Sequence, residues 1–127
     1  MSTPIYVLGG YQTDFAKAWA RADQDISDMI RESTLGALEA SGLDAEAIET
    51  IHVGNAFGEL QRQQAHLGAM VSQVVPELWG RPDMRHEGAC APASLAAMAA
   101  RSGAGSCIRG MLSSFNSSVQ RSPNFCR

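Results

Sequence analysis

The sequence has 127 residues, 45% of them hydrophobic and 18% charged, which suits one soluble globular domain and is too short for two. A net charge of -3 and a pI near 5.5 exclude the basic footprint of a nucleic-acid binder. Residues 1–22 carry Asp14 and no long apolar core, so no secretory leader is expected, and no run approaches a membrane span. Three cysteines, at 90, 107 and 126, leave one unpaired whichever two are joined. Without an export signal they point to free thiols in a reducing, cytoplasmic compartment. Their wide spacing lacks the close pairs that zinc sites use, so no metal is expected.

The opening run Pro4-Ile5-Tyr6-Val7-Leu8, ended by Gly9-Gly10, reads as a buried strand running into a turn. Thr13 to Gln24 is mixed in character and reads as an irregular loop. A helix follows, capped by Asp25 or Ser27, with Asp28 placing negative charge in its first turn. Ile26, Ile30, Thr34, Ala37, Leu38 and Ser41 fall on one inward stripe, and Gly42 supplies a left-handed cap onto which Leu43 folds back. Asp44 starts a helical turn through Ala45–Ile48. Thr50-Ile51-His52-Val53-Gly54 then alternates as a strand does.

From Glu59 to Val75 the pattern is helical again, with Leu60, His66, Leu67, Met70, Val71 and Val74 as buried candidates and Pro76 as terminator. Pro76–Pro82 is expected to be a loop. The order of strands and helices predicts an α/β fold with a layered sheet. A third strand is due after Ser102, but residues 103–127, with six serines among 25, show neither a 3.6- nor a 2-residue period.

The most informative stretch is Met84 to Ala100. Pro92 suits the first turn of a helix, where its missing N–H would have had no partner. Ala93 to Ala100 are almost all small and apolar, so this helix is expected to be buried on most sides. Cys90 thus sits at or just before a helix N-terminus, facing unpaired N–H groups and the positive end of the helix dipole. Both favour thiolate, the nucleophilic form. Read by position alone, Cys90 is equally a small buried hydrophobe. His86, four residues earlier, reads as a structural hydrogen-bonding histidine rather than a base. His52 and His66 read as ordinary, partly buried side chains.

The segment Cys90-Ala91-Pro92-Ala93-Ser94 resembles the Cys-Ala-Ser-Gly-Ser nucleophile region of the thiolase family, particularly its sterol-carrier-like branch. Ile5-Tyr6-Val7-Leu8-Gly9-Gly10 with Gln12-Thr13-Asp14-Phe15 is similar to that family's opening strand and loop. Gly42-Leu43-Asp44 followed by Ile51-His52-Val53-Gly54-Asn55 is similar to its first helix-to-strand passage, and the Gln61–Met70 helix fits as well. The resemblance covers about residues 3–102. It implies a thiolase-like layered α-β-α architecture, with residues 1–102 forming an incomplete N-terminal domain and residues 103–127 an unmatched tail, frameshifted or disordered. It also implies an acyltransferase of lipid metabolism in which Cys90 attacks an acyl-CoA thioester. No bound cofactor is then expected, coenzyme A enters as part of the substrate, and the full-length protein would be a homo-oligomer with no nucleic-acid or membrane partner.

The sequence departs from the family in two respects. Pro92-Ala93 replaces the family's Ser-Gly, adding a Cβ and a fixed φ at the helix start. The family's Gly-His-Pro and Asn-Glu-Ala-Phe motifs do not occur, and neither Cys107 nor Cys126 sits in the context of its second cysteine. A truncated enzyme with little or no turnover is therefore expected. Three other readings remain: a ketoacyl-synthase-like condensing enzyme, a non-catalytic module pairing with a full-length thiolase subunit, and a redox thiol protein using Cys90 and Cys107. The last lacks a Cys-x-x-Cys pair.

Overall fold

In the computed structural model, which describes residues 5–102 and the backbone of 110–114 (backbone alone also at 61 and 62), the first long element is helix α1, Ile26–Ser41. Asp25 caps it by accepting from the Ser27 N–H at 2.7 Å, while the Asp28 carboxylate accepts from the Asp25 N–H at 2.9 Å. This reciprocal box satisfies N–H groups that the first helical turn leaves without partners. Gly42 ends the helix at φ 66, a left-handed conformation open to glycine. Ile30 and Thr34 are the fully buried members of the predicted stripe, with Ile26 and Leu38 partly buried beside them. Leu43 also packs on the core, and Ala45–Ala47 make a short 3₁₀ turn.

Strand β1, Thr50–Gly54, is the centre of the molecule. It pairs in parallel with β2, Asp83–His86, on one side and with β3, Gly110–Ser114, on the other. Ile51 to Gly54 are all buried, so β1 is covered on both faces, the usual state of a central parallel strand. Helices α2, Gly58–Arg62, and α3, Leu67–Val74, connect β1 to β2, and α4, Pro92–Ser102, connects β2 to β3.

Successive side chains of a strand point to opposite faces. Ile51 and Val53 join Ile30, Leu67, Met70, Val71, Val75 and Leu78 in the main core beneath α1 and α3. His52 and Gly54 face the other way, towards α4. The chain crosses from β1 to one neighbour and then back past β1 to the other, and crossovers of one hand put the two connections on opposite faces. The result is three layers, α1 and α3, then the sheet, then α4. The expected α/β layering is present.

Several local expectations fail for identifiable reasons. Ile5–Leu8 is not a strand: no strand pairs with it among the described residues, and Val7 is 92% exposed. The residues that follow this segment lie along α1, with Gly9 against the backbone at Ser41, the Tyr11 ring over Gly36 and the Tyr11 hydroxyl donating to Glu32 at 3.1 Å. Pro4 lies outside the described residues. The loop through Gln24 contains a 3₁₀ turn at Trp19–Ala22, which buries Trp19. The helix expected over Glu59–Val75 is two helices, because Gln63 adopts φ 54 and ends the first. Leu67, Met70, Val71 and Val74 already make a complete apolar stripe on α3. The break leaves Leu60 82% exposed and His66 exposed, against expectation.

The expected Pro76–Pro82 loop holds a 3₁₀ turn at Pro76–Leu78 that buries Leu78 fully. α4 is far less covered than its composition predicts. Only Ala96 is buried, and Leu95 and Met98 are exposed, because the sheet covers one side of the helix and nothing among the described residues covers the rest. A strand does form at 110–114, where no period signals one. Backbone pairing to β1 runs through five consecutive residues there and needs no side-chain alternation. The rest of the unmatched tail, 103–109 and 115–127, lies outside the described residues.

Ile51 is fully buried at the middle of the central strand. Ile51→Ala should lower unfolding free energy by about 2–5 kcal/mol, read as a drop in urea midpoint at unchanged slope.

Candidate active site

The loops that leave β1 and β2 turn to opposite faces of the sheet, and between two such strands an open parallel sheet has its crevice, beyond the carboxyl ends. The β2 loop carries Cys90. Two backbone contacts place it. The Asn55 N–H donates to the His86 carbonyl at 3.0 Å, extending the β1–β2 ladder past the strand ends. Gly54 lies so close to α4 that a Cβ there would sit 2.7 Å from the carbonyl carbon of Pro92. Only a glycine lets the head of α4 rest on β1 in this way.

Between His86 and Pro92 the chain makes a tight turn. The Ala91 N–H donates to the Gly88 carbonyl at 2.8 Å, and Ala89 holds φ 48, a left-handed conformation that a Cβ makes unfavourable. Cys90 follows at the corner of the turn and is exposed. It is therefore not the buried small hydrophobe that its position alone also allowed. α4 begins at Pro92, as its fixed φ suits, and the Leu95 N–H donates to Ala91 at 3.1 Å. The first-turn N–H groups of Ala93 and Ser94 donate to no side-chain cap among the described residues.

The foot of the turn is heavily tied. Arg85 points to the α3 face, where its guanidinium donates to Glu59 at 3.3 Å, to the Ala65 carbonyl at 3.0 Å and to Glu87. These carboxylates, Glu87 foremost, hold Arg85 above its ordinary pKa. Asn55 is buried, and its side-chain oxygen accepts from the Gly58 N–H, joining the end of β1 to the start of α2. On the α4 face, His52 is only 1% exposed, and its Nδ1 lies 2.9 Å from His86 Nε2, with the two rings stacked at 5.2 Å. Burial, and then the neighbouring His86, push the His52 pKa below its ordinary value.

An open concavity lined by Ala20, Asp23, Asp25 and Asp28 lies at the head of α1, remote in sequence from Cys90. Asp25 and Asp28 are engaged there in the capping box. Among the described residues no group of three or more His, Cys, Asp or Glu side chains is placed to hold a metal ion, and no helix is long and apolar enough to cross a membrane.

No family model matches the chain. It is, however, 34% identical over 92 residues to an acetyl-CoA acetyltransferase of Methanothermobacter thermautotrophicus and 33% identical over 92 residues to an acetyl-CoA acetyltransferase of Methanocaldococcus jannaschii. The chain is a partial relative of the thiolases. Each match takes in 72% of this chain but only 23% and 22% of the relatives' own lengths.

Among the residues singled out in the sequence, this thiolase relative exposes Cys90 at the head of α4 and brings His86 to His52, not into a hydrogen bond with the thiol. His52 is fully rather than partly buried. His66 stands apart and exposed. Cys107 and Cys126 lie outside the described residues. The contributions of Gly54, Asn55 and Arg85 went unrecognised in the sequence, because each acts on a partner from another element. The glycine ending the β1 run was the one available signal.

Two outcomes follow. Gly54→Ala should cost roughly 1–3 kcal/mol in a urea titration, because the clash is with backbone that cannot swing aside. For His52, both folded and unfolded forms are neutral above about pH 6.5, and its contribution to stability is complete there. As pH falls below that value the unfolded chain takes the proton first, so stability declines as the folded pKa is approached. Urea midpoints measured on either side of pH ~6.5 should show the decline in the parent and a shallower one in His52→Gln.

Proposed function

We propose that the chain is a thiolase-type acyltransferase polypeptide in which Cys90 accepts the acyl group of an acyl-CoA thioester. The observation that carries this reading is the exposed cysteine on the left-handed turn at the head of α4, at the carboxyl ends of β1 and β2. In the proposed step the Cys90 thiolate attacks the thioester carbonyl, the new S–C bond forms, the bond from carbon to the CoA sulfur breaks, and CoA leaves as a thiolate that takes a proton from water. The uncapped N–H groups of Ala93 and Ser94 are suited to donate to the oxyanion formed on the way. The kinship with proteins named acetyl-CoA acetyltransferase supports the acetyl thioester as the first substrate to try.

Condensation with a second acyl-CoA, or cleavage of a 3-ketoacyl-CoA, needs a base to move a proton at carbon. Among the described residues no side chain hydrogen-bonds the Cys90 thiol, and the family's histidine motif is absent from the sequence. The activity proposed for these residues is therefore the acyl-loading step at Cys90.

A second reading has one observation in its favour. Ile5 to Leu8, Leu95 and Met98 present apolar side chains to solvent, as a module that seats against a full-length thiolase subunit would. Size-exclusion with and without such a subunit tests it: co-elution is expected, and a monomer-sized peak in both runs contradicts it.

Incubation with acetyl-CoA followed by intact mass measurement should add one acetyl group to the parent chain and none to Cys90→Ala. An unmodified parent, or an adduct that survives in Cys90→Ala, would sink the nucleophile assignment.

A further inference from the structure

His52 and His86 come from adjacent strands, lie on the face covered by α4 and meet ring to ring at the foot of the Cys90 turn. No carboxylate faces them among the described groups. On β2, Asp83 lies against Gly68 of α3 and Arg85 reaches Glu59, so both point to the opposite face. On β1 the same-face neighbours are Thr50 and Gly54, and on α4 the one ionisable side chain is Arg101 in the last turn. Glu87, next along the loop, is engaged by Arg85. Cys90 is the remaining ionisable group nearby in the chain. The side chains of β3 lie outside the described residues.

A hydrogen bond between two imidazoles needs one N–H and one lone pair. The neutral pair has both. A first added proton can settle on a nitrogen outside the bond and leave the bond intact. A second fills the lone pair within it, so that two N–H groups and two positive charges face each other across 2.9 Å. The pair therefore holds through neutral pH and is broken from the acid side. His86 is the last residue of β2, and Gly88–Ala91 is the turn that presents Cys90.

We infer that His52 and His86 are a positioning couple for Cys90, whose imidazole–imidazole bond anchors the Gly88–Ala91 turn to the central strand and releases it when both rings are protonated. The functional importance of this couple rests on the proposed nucleophile role of Cys90; its mechanical part does not. His52 and His86 touch no substrate in this account and act through the turn.

The direct readout is the hydrogen-exchange protection of the Ala91 amide in the full chain, corrected for intrinsic exchange. Between about pH 7.5 and about pH 4, a span that runs well below the ordinary histidine range because burial and the neighbouring ring oppose the second proton, protection in the parent should fall. The fall should be roughly threefold to tenfold, the range that the loss of one hydrogen bond allows. His86→Gln, whose amide can donate and accept but does not titrate, should rescue a pH-independent protection. His86→Ala should be poorly protected at both values. His52→Gln repeats the test from the other strand should the alanine variant fail to fold. Parent protection that stays constant over this range, or glutamine and alanine variants that behave alike, would overturn the couple. Acetylation of Cys90 in the same samples should follow the same acid limb. Its absence from every sample counts against the nucleophile reading alone, and the Ala91 measurement still decides the couple.

Discussion

The backbone of Pro92 rests on the end of β1 because Gly54 has no side chain, and the position of Cys90 follows from that contact. A central parallel strand must be covered on both faces, since its polar ladder is satisfied within the sheet and its side chains project into both layers. On one face Ile51 and Val53 meet the bulky stripe of α3. On the other, a glycine lets a helix start approach at backbone distance. The turn before that helix is then short enough to force Ala89 into the left-handed region, and the cysteine after it stands exposed at its corner.

Polar side chains hold the same corner from beneath. Arg85 binds two carboxylates and a carbonyl on the α3 face, while His52 binds His86 on the α4 face, so β2 is fastened from both sides just before the turn. The two fastenings differ in character. Arginine stays charged throughout the physiological range, so its ties are constant. The inner imidazole, His52, is held neutral by burial and by the neighbouring ring, which make it resist the proton. The site thus combines an arginine clamp on one face with an imidazole pair on the other.

The elements legible in the sequence were those with a strong local cause. Asp25, Asp28 and Gly42 mark the ends of α1 by capping chemistry that involves neighbours only, and Pro92 marks the start of α4. The spacing of Leu67, Met70, Val71 and Val74 identifies α3. What escaped depended on distant partners. Ile5–Leu8 has the composition of a strand but no strand beside it among the described residues, whereas 110–114 has little strand character and pairs because β1 offers an open edge. Gln63 breaks a helix whose apolar pattern ran on to Leu60. The place of Cys90 just before the head of α4 was legible from its neighbours in sequence; that His86 reaches across 34 residues to His52 was not.

The central claim of the proposed function is that the Cys90 turn is arranged to take an acyl group. Chromatographic quantitation of CoA released from acetyl-CoA tests it most directly. The account predicts a burst of about one CoA per chain, lost in Cys90→Ala, the pattern of an acyl-enzyme that accumulates. Release without a burst, or sustained release that persists in Cys90→Ala, would contradict it.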